Sequence, residues 1–118
     1  MEIEDMRIMA IMSLLLLASP AAAREPNYKW AQRQTDAVKR AMFATAVRSV
    51  GESCTSVKKY FFRGADESGA GYWAVRCADD RTWSVTIADD DGGTAIVLSC
   101  AMFETVTKFS CWEPFANK

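Results

Sequence analysis

The chain has 118 residues, half of them hydrophobic, with 14 basic residues, 15 acidic residues and no histidine. A net charge near zero gives no reason to expect nucleic-acid binding, and the lack of histidine excludes Ser/His/Asp triads, Cys/His dyads and histidine-ligated metal centres. No GxxxxGK[ST] or GxGxxG phosphate loop occurs, so nucleotide chemistry is not indicated, and we predict neither a cofactor nor a metal.

The N-terminal stretch has the pattern of a secretory signal peptide. Arg7 supplies a positive charge, residues 8–18 are apolar, and residues 21–23 are three alanines that form a small-residue cleavage site. Acidic residues before Met6 are unusual in such a leader, so we expect translation to begin at Met6. The apolar run is about half the length that spans a bilayer. We therefore favour a cleaved signal peptide at residues 1–23 over an uncleaved anchor or a buried helix.

Cleavage leaves residues 24–118, which have the size of one small domain without a membrane span. We predict that this domain is periplasmic or secreted. Its charges are unevenly distributed along the chain, because residues 24–63 hold nine basic and three acidic residues, whereas residues 64–118 hold four and nine. The sequence leaves the oligomeric state open.

The first element of the domain is predicted to be one helix over residues 28–50. The segment contains no proline or glycine, and its apolar residues recur at helical spacing. Asn27 fits the N-cap, and Gly51 fits the position after the last turn. The apolar face is expected to comprise Val38, Met42, Phe43, Ala46, Val47 and Val50.

Beyond Gly51 the apolar residues recur at every second position, which predicts an antiparallel meander of four to five strands. GADESGAG, ADDR and DDDGG supply the turns. They separate strands at residues 55–63, 72–77, 82–88 and 95–100. Residues 101–118 fit either a short helix or a fifth strand.

The predicted fold class is α+β, with one N-terminal helix packed on an antiparallel sheet and two disulfides. Patterning assigns eleven side chains to its core: Val38, Met42, Val50, Phe61, Trp73, Val75, Trp83, Val85, Ile87, Ile96 and Leu98.

The four cysteines predict two disulfides, because an even number in an exported domain is typical of a disulfide framework. Three pairings are formally possible. A hairpin turn near residue 66 places Cys54 almost opposite Cys77, whereas Cys77 and Cys100 would lie two strand spacings apart, beyond disulfide reach. These registers favour Cys54–Cys77 and Cys100–Cys111. A zinc site is not favoured, because the chain has no CxxC pair.

The aromatic residues are too numerous for one face of a small sheet. Tyr60, Phe62 and Tyr72 are therefore predicted to form an exposed aromatic strip, a feature typical of a partner surface. In the alternative, the C-terminal segment with Trp112 and Phe115 folds back and covers the strip.

Acidic residues of two turns are predicted to meet at one end of the sheet, together with the N-terminus of the helix. We call this group the acidic pole, formed by Asp66, Glu67, Asp89, Asp90 and Asp91. The turn at DDDGG does not match an EF-hand, because Ile87 and Leu98 would occupy its first and twelfth ligand positions. We expect a solvated, charge-balanced pole, with weak binding of a cation or a basic partner as the alternative.

The succession of signal peptide, helix, ESCTSVKKYFFRG, GYWAVRCADDRTWSVTI and AIVLSC resembles small exported proteins of unknown function from Gram-negative bacteria. The cysteine spacing and a W-x-V-x-C-x-D signature carry this resemblance over roughly the last two thirds of the mature chain. It implies a periplasmic location and no catalytic residues. At the level of fold, the chain is also similar to PepSY-type and cystatin-type domains, which tend to bind or inhibit proteins.

These observations predict a non-enzymatic periplasmic or secreted binding module whose partner is another envelope or secreted protein. One alternative is a small hydrolase that uses paired carboxylates. Another is an envelope protein that binds cations weakly.

Overall fold

The computed structural model describes residues 25–115, and the predicted signal peptide at residues 1–23 lies outside them. The described part contains three helices and four strands: α1 (Asn27–Gln32), α2 (Asp36–Ser49), β1 (Val57–Ala65), β2 (Gly71–Cys77), β3 (Thr82–Ile87), β4 (Ala95–Ser99) and α3 (Cys100–Thr107). None of the helices in these residues is long and apolar enough to cross a bilayer.

The four strands form one antiparallel sheet in the order β1-β2-β3-β4. The predicted meander is thus confirmed with four strands, and with it the α+β fold class. The β1–β2 turn is closed by Asp66, whose carboxylate accepts hydrogen bonds from the Ser68 amide at 2.9 Å and the Ala70 amide at 3.2 Å. Two irregularities interrupt the pairing of β1 with β2.

The predicted single helix is in fact two helices, and the break between them lies just before α2. Thr35 has an extended backbone, and its hydroxyl accepts a hydrogen bond from the Val38 amide at 3.2 Å. A threonine in this conformation is a helix N-cap, so it starts a new helix even though no proline or glycine interrupts the sequence.

Helix α1 is fixed to the sheet through its first two residues. Asn27 is not the N-cap but the first residue of α1, and its side-chain amide donates to the carbonyls of Ala88 at 3.0 Å and Asp90 at 2.7 Å. Tyr28 lies directly on Gly71, where any Cβ atom would collide with the tyrosine. The glycine therefore allows α1 to approach the start of β2.

The main core lies between α2 and one face of the sheet. Of the predicted core residues, Trp73, Val75, Trp83, Val85 and Ile87 are buried there. On α2 the buried residues are Phe43, Ala44 and Val47, whereas Val38 and Val50 are exposed, contrary to prediction. A row of every fourth residue drifts around a helix of 3.6 residues per turn. The two ends of the predicted row therefore point away from the sheet.

The opposite face of the sheet is covered by α3 and the segment that follows it. Ala74, Cys100, Phe103 and Cys111 are buried together there, and Phe61, a predicted core residue, packs against them. The ambiguous C-terminal region therefore begins as a helix rather than a fifth strand. The predicted core residues on β4, Ile96 and Leu98, are exposed. Alternation along β4 turns Val97, which pairs with Val85, towards the main core and leaves Ile96 and Leu98 on the opposite face at the edge of the sheet.

Both predicted disulfides are present, Cys54–Cys77 and Cys100–Cys111. Cys77 pairs with Val57 across the strands, close to the register used for the prediction. All four cysteines are buried. Two buried disulfides in a domain of this size indicate an oxidising environment.

Candidate binding cleft

The structure does not bring the three predicted strip residues together. Tyr60 and Phe62 pack against the core under α2, with the Phe62 ring 4.8 Å from the Trp73 ring. Tyr72 lies on the other face, because successive strand residues alternate between faces, and its ring is 4.9 Å from Phe115. The C-terminal segment thus covers Tyr72, and all three side chains are half-buried.

The two acidic loops do lie side by side at one end of the sheet. A Cβ atom at Gly69 would be 3.1 Å from Oδ2 of Asp89, and the Asn27 amide donates to Asp89 at 3.3 Å. The start of α1 is therefore at the same end, as predicted. Among residues 25–115, however, no three potential ligands converge to hold a metal ion.

A cleft of about 780 Å³ opens between the β1–β2 loop and the segment that follows α3. We call it the Arg63 cleft. It includes part of the acidic pole, and the residues that matter for its chemistry are Arg63, Asp66, Glu67, Phe109, Glu113 and Phe115.

Arg63 is the buried residue of this cleft, with only 3% of its surface exposed. Its Nε donates to the Glu113 carbonyl at 2.8 Å, and Nη2 donates to the Ser110 carbonyl at 2.9 Å. The guanidinium carbon is 4.7 Å from the Phe103 ring centroid and 5.0 Å from that of Phe115. Nη1 is buried and has no hydrogen-bond partner among the described residues.

The segment after α3 is held against β1 at several points. The Phe115 amide donates to the Arg63 carbonyl at 2.9 Å, and Cys111 is linked to α3 by its disulfide. Gly64 has a φ of +136°, and a Cβ atom there would be 3.0 Å from the Phe115 ring. A glycine therefore suits this position both for its backbone conformation and for the close approach of the ring.

The electrostatics of the cleft combine a buried cation with exposed carboxylates. Burial lowers the pKa of Arg63, but an arginine remains charged at physiological pH. Hydrogen bonds from Ser68 and then Tyr72 lower the pKa of Asp66. Burial, together with a 2.7 Å hydrogen bond to Asp66, raises the pKa of Tyr72 to about 12. The Tyr72 hydroxyl therefore stays protonated at physiological pH and donates to Asp66 beside the cleft.

Carboxyl groups elsewhere show the same direction of shift. The pKa of Asp36 is lowered by hydrogen bonds from Arg40 and Tyr60, that of Asp80 by Lys58, and that of Asp90 by hydrogen bonds from Thr94. A general acid near neutral pH requires a raised pKa. Together with Asp66, these three carboxyls are therefore ionised near neutral pH.

Sequence reasoning placed Arg63 at the end of the first strand and gave it no role. One hint was available, because Arg63 directly follows the three aromatic residues of β1 and precedes a glycine. Its burial could not be read from that hint, since the cover comes from Phe103 and Phe115, roughly 40 to 50 residues further along the chain.

In comparisons with known proteins, no family model, no curated protein and no solved structure matches this chain.

Proposed function

We propose that this protein is an exported, non-enzymatic binding module that holds a polypeptide segment of another envelope or secreted protein in the Arg63 cleft. The observation that carries the proposal is Nη1 of Arg63, a buried cationic donor without a partner in the described chain. Buried donors of this kind are normally satisfied, because leaving one unpaired costs about 1 to 3 kcal/mol.

A backbone carbonyl is the acceptor that best fits Nη1. The other two donating nitrogens of Arg63 already bind carbonyl oxygens. A carboxylate ligand would have to approach past Asp66, Glu67 and Glu113, which are exposed around the cleft. Like charges repel, so these acids favour a ligand with a neutral acceptor and a basic side chain.

Aromatic side chains supply the apolar part of the proposed contact. Phe109 is 64% exposed, and Phe115 lines the same cleft. An exposed aromatic ring beside a buried donor offers a place for an apolar side chain of the ligand. Because Nη1 itself has almost no contact with solvent, the ligand must displace a side chain of the rim to reach it.

Export is supported by the signal-peptide pattern and by the two disulfides. The pKa of each of the four shifted carboxyls is lowered, so none of these four groups is suited to act as a general acid near neutral pH.

Selection of random peptides displayed on phage tests the proposal. The folded, oxidised protein is expected to enrich short segments that combine a basic residue with a neighbouring apolar one. Phe109→Ser should weaken binding of the selected peptides by about tenfold or more, since aromatic anchors at interfaces commonly contribute above 1.4 kcal/mol. Val106→Ser is a matched control, because Val106 is 65% exposed and does not line the cleft.

Two results would overturn the proposal. One is the absence of any enriched motif with the wild-type protein. The other is equal peptide binding by the Phe109→Ser and wild-type proteins. Binding should also weaken with added salt, because exposed carboxylates of the rim act through screened electrostatics.

A further inference from the structure

The outer side of β4 is an open strand edge. In the part of the chain that the structure describes, β4 pairs with β3 and with no other strand. Its sequence, AIVLS, contains no charged residue, proline or glycine, and its pairing with β3 has no irregularity. Proteins commonly protect such edges with charges, prolines or bulges, and β4 has none of these.

The backbone pattern shows which groups this edge presents. The Ala88 amide donates to the Thr94 carbonyl at 2.9 Å just before β4 begins. In an antiparallel ladder the bonded residues alternate, so Ile96 and Leu98 bond to β3. The amides and carbonyls of Ala95 and Val97 therefore point away from the sheet and can accept a further strand.

An uncharged groove of about 480 Å³ runs beside this edge, between α2 and β4. The residues of α2 and β4 that line it include Val38, Ala41, Met42, Thr45, Ala46 and Ala95. Lys39 and Arg40, in the first half of α2, lie on the other side of the helix, where they approach the Tyr60 ring of β1 at 5.7 and 5.4 Å.

We propose that a second copy of this protein occupies the β4 edge. The two β4 strands pair antiparallel about a two-fold axis at Val97, which joins two four-stranded sheets into one of eight strands. The strand is self-complementary in this register, because Ile96 of each copy lies opposite Leu98 of the other. Such isologous contacts are the commonest form of homodimer interface.

Charge favours the antiparallel arrangement. Along the chain, the acidic turn at residues 89–91 precedes β4, and α3 begins directly after β4. Pairing two copies antiparallel brings the acidic turn of one towards the α3 N-terminus of the other, where the helix dipole is positive. The strand itself carries no charge that would repel its copy.

Apolar surface on both sides of the strand extends the contact. A stable dimer generally buries at least about 1,200 Å², which five paired residues do not provide alone. Ile96 and Leu98 are exposed on the α3 face of the strand, and Val38 is exposed beside the groove on the α2 face. A second copy that pairs with β4 can cover both surfaces at once.

Sedimentation of the oxidised protein over a concentration series tests the proposal. We expect twice the chain mass for the wild type and one chain mass for Ile96→Lys/Leu98→Lys, which places four like charges across the axis. Mixing this variant with Ile96→Glu/Leu98→Glu should restore the dimer. Val50→Lys should remain dimeric, because Val50 is 48% exposed, similar to Ile96 at 51%, but lies outside the groove.

A wild-type protein that stays monomeric up to about 1 mM, or a lysine pair that still dimerises, would overturn the inference. So would a monomer whose β4 edge binds only a strand of another protein. Hydrogen exchange of the wild type needs no variant and settles the case in which the lysine pair does not fold. The amides of Ala95 and Val97 should become more protected as concentration rises, and protection that is independent of concentration contradicts a second copy.

Discussion

The two edges of the sheet differ in how their backbone groups are protected. At the β1 edge, Nη1 of Arg40 donates to the carbonyls of Val57 at 2.7 Å and Lys58 at 2.8 Å. Lys58 and Lys59 add positive charge there, and the strand pairing is irregular at two points. At the β4 edge the described chain offers no charge, no irregularity and no capping side chain.

This difference shows that one small domain can protect one edge and leave the other available. Exposed edges pair with other chains unless they are blocked, so the bare β4 edge is the surface to which we propose that a second copy binds. The C-terminal segment reinforces the protection of β1, since Phe115 donates its amide to Arg63 and covers the end of that strand.

Among the variants that test the protection of the β1 edge, Arg63→Ala is expected to have the largest effect on stability. The change removes two charged hydrogen bonds that hold the C-terminal segment beside β1 and leaves the carbonyls of Ser110 and Glu113 without their donor. We expect the free energy of unfolding to fall by about 3 kcal/mol, measured by urea denaturation. Arg81→Ala is the control, because this arginine is exposed and its removal should change stability by less than about 0.5 kcal/mol. Equal stability of the two variants would show that Arg63 does not hold the segment.

A smaller effect is expected from Arg40→Met, which removes the cap from two carbonyls of the β1 edge. These carbonyls can regain water, so the loss in unfolding free energy should be about 1 kcal/mol. Lys58 and Lys59 remain, so sedimentation should show the same mass as the wild type. A mass larger than that of the wild type would mean that Arg40 alone protects this edge.

The smallest effect is a change in acid sensitivity at the loop that joins β1 to β2. Hydrogen bonds from Ser68 and Tyr72 lower the pKa of Asp66 in the folded state. The stabilisation is therefore complete above the unfolded pKa of about 3.9 and is lost as pH falls through the folded value. Asp66→Asn cannot titrate, so its Tm should fall less than that of the wild type on acidification below pH ~4. A Tm profile for Asp66→Asn identical to that of the wild type would contradict the assignment.

The disulfides and strands were predictable because they depend on turns that the sequence marks clearly. GADESGAG fixes the β1–β2 hairpin, and a hairpin fixes which residues face each other. Cys54 and Cys77 could therefore be paired from numbering alone, and the structure confirms that pair.

Other features were not predictable because they depend on distant parts of the chain. The exposure of Ile96 and Leu98 follows from the phase of β4, which turns Val97 to the main core, and from the edge position of the strand. The uninterrupted apolar run of β4 reveals neither. The burial of Arg63 depends on two phenylalanines near the C-terminus. The helix break at Thr35 was visible in principle, since threonine is a strong N-cap residue, but helical periodicity across it outweighed that signal.

The order of the disulfides along the chain has a consequence for how the protein matures. Each bond joins two cysteines that are consecutive among the four, so no loop of one bond encloses a cysteine of the other. A polypeptide that enters an oxidising compartment with its N-terminal end first therefore presents each native pair together, in the order of translocation. We therefore expect oxidation in order of appearance to yield the native bonds without reshuffling of wrong pairs.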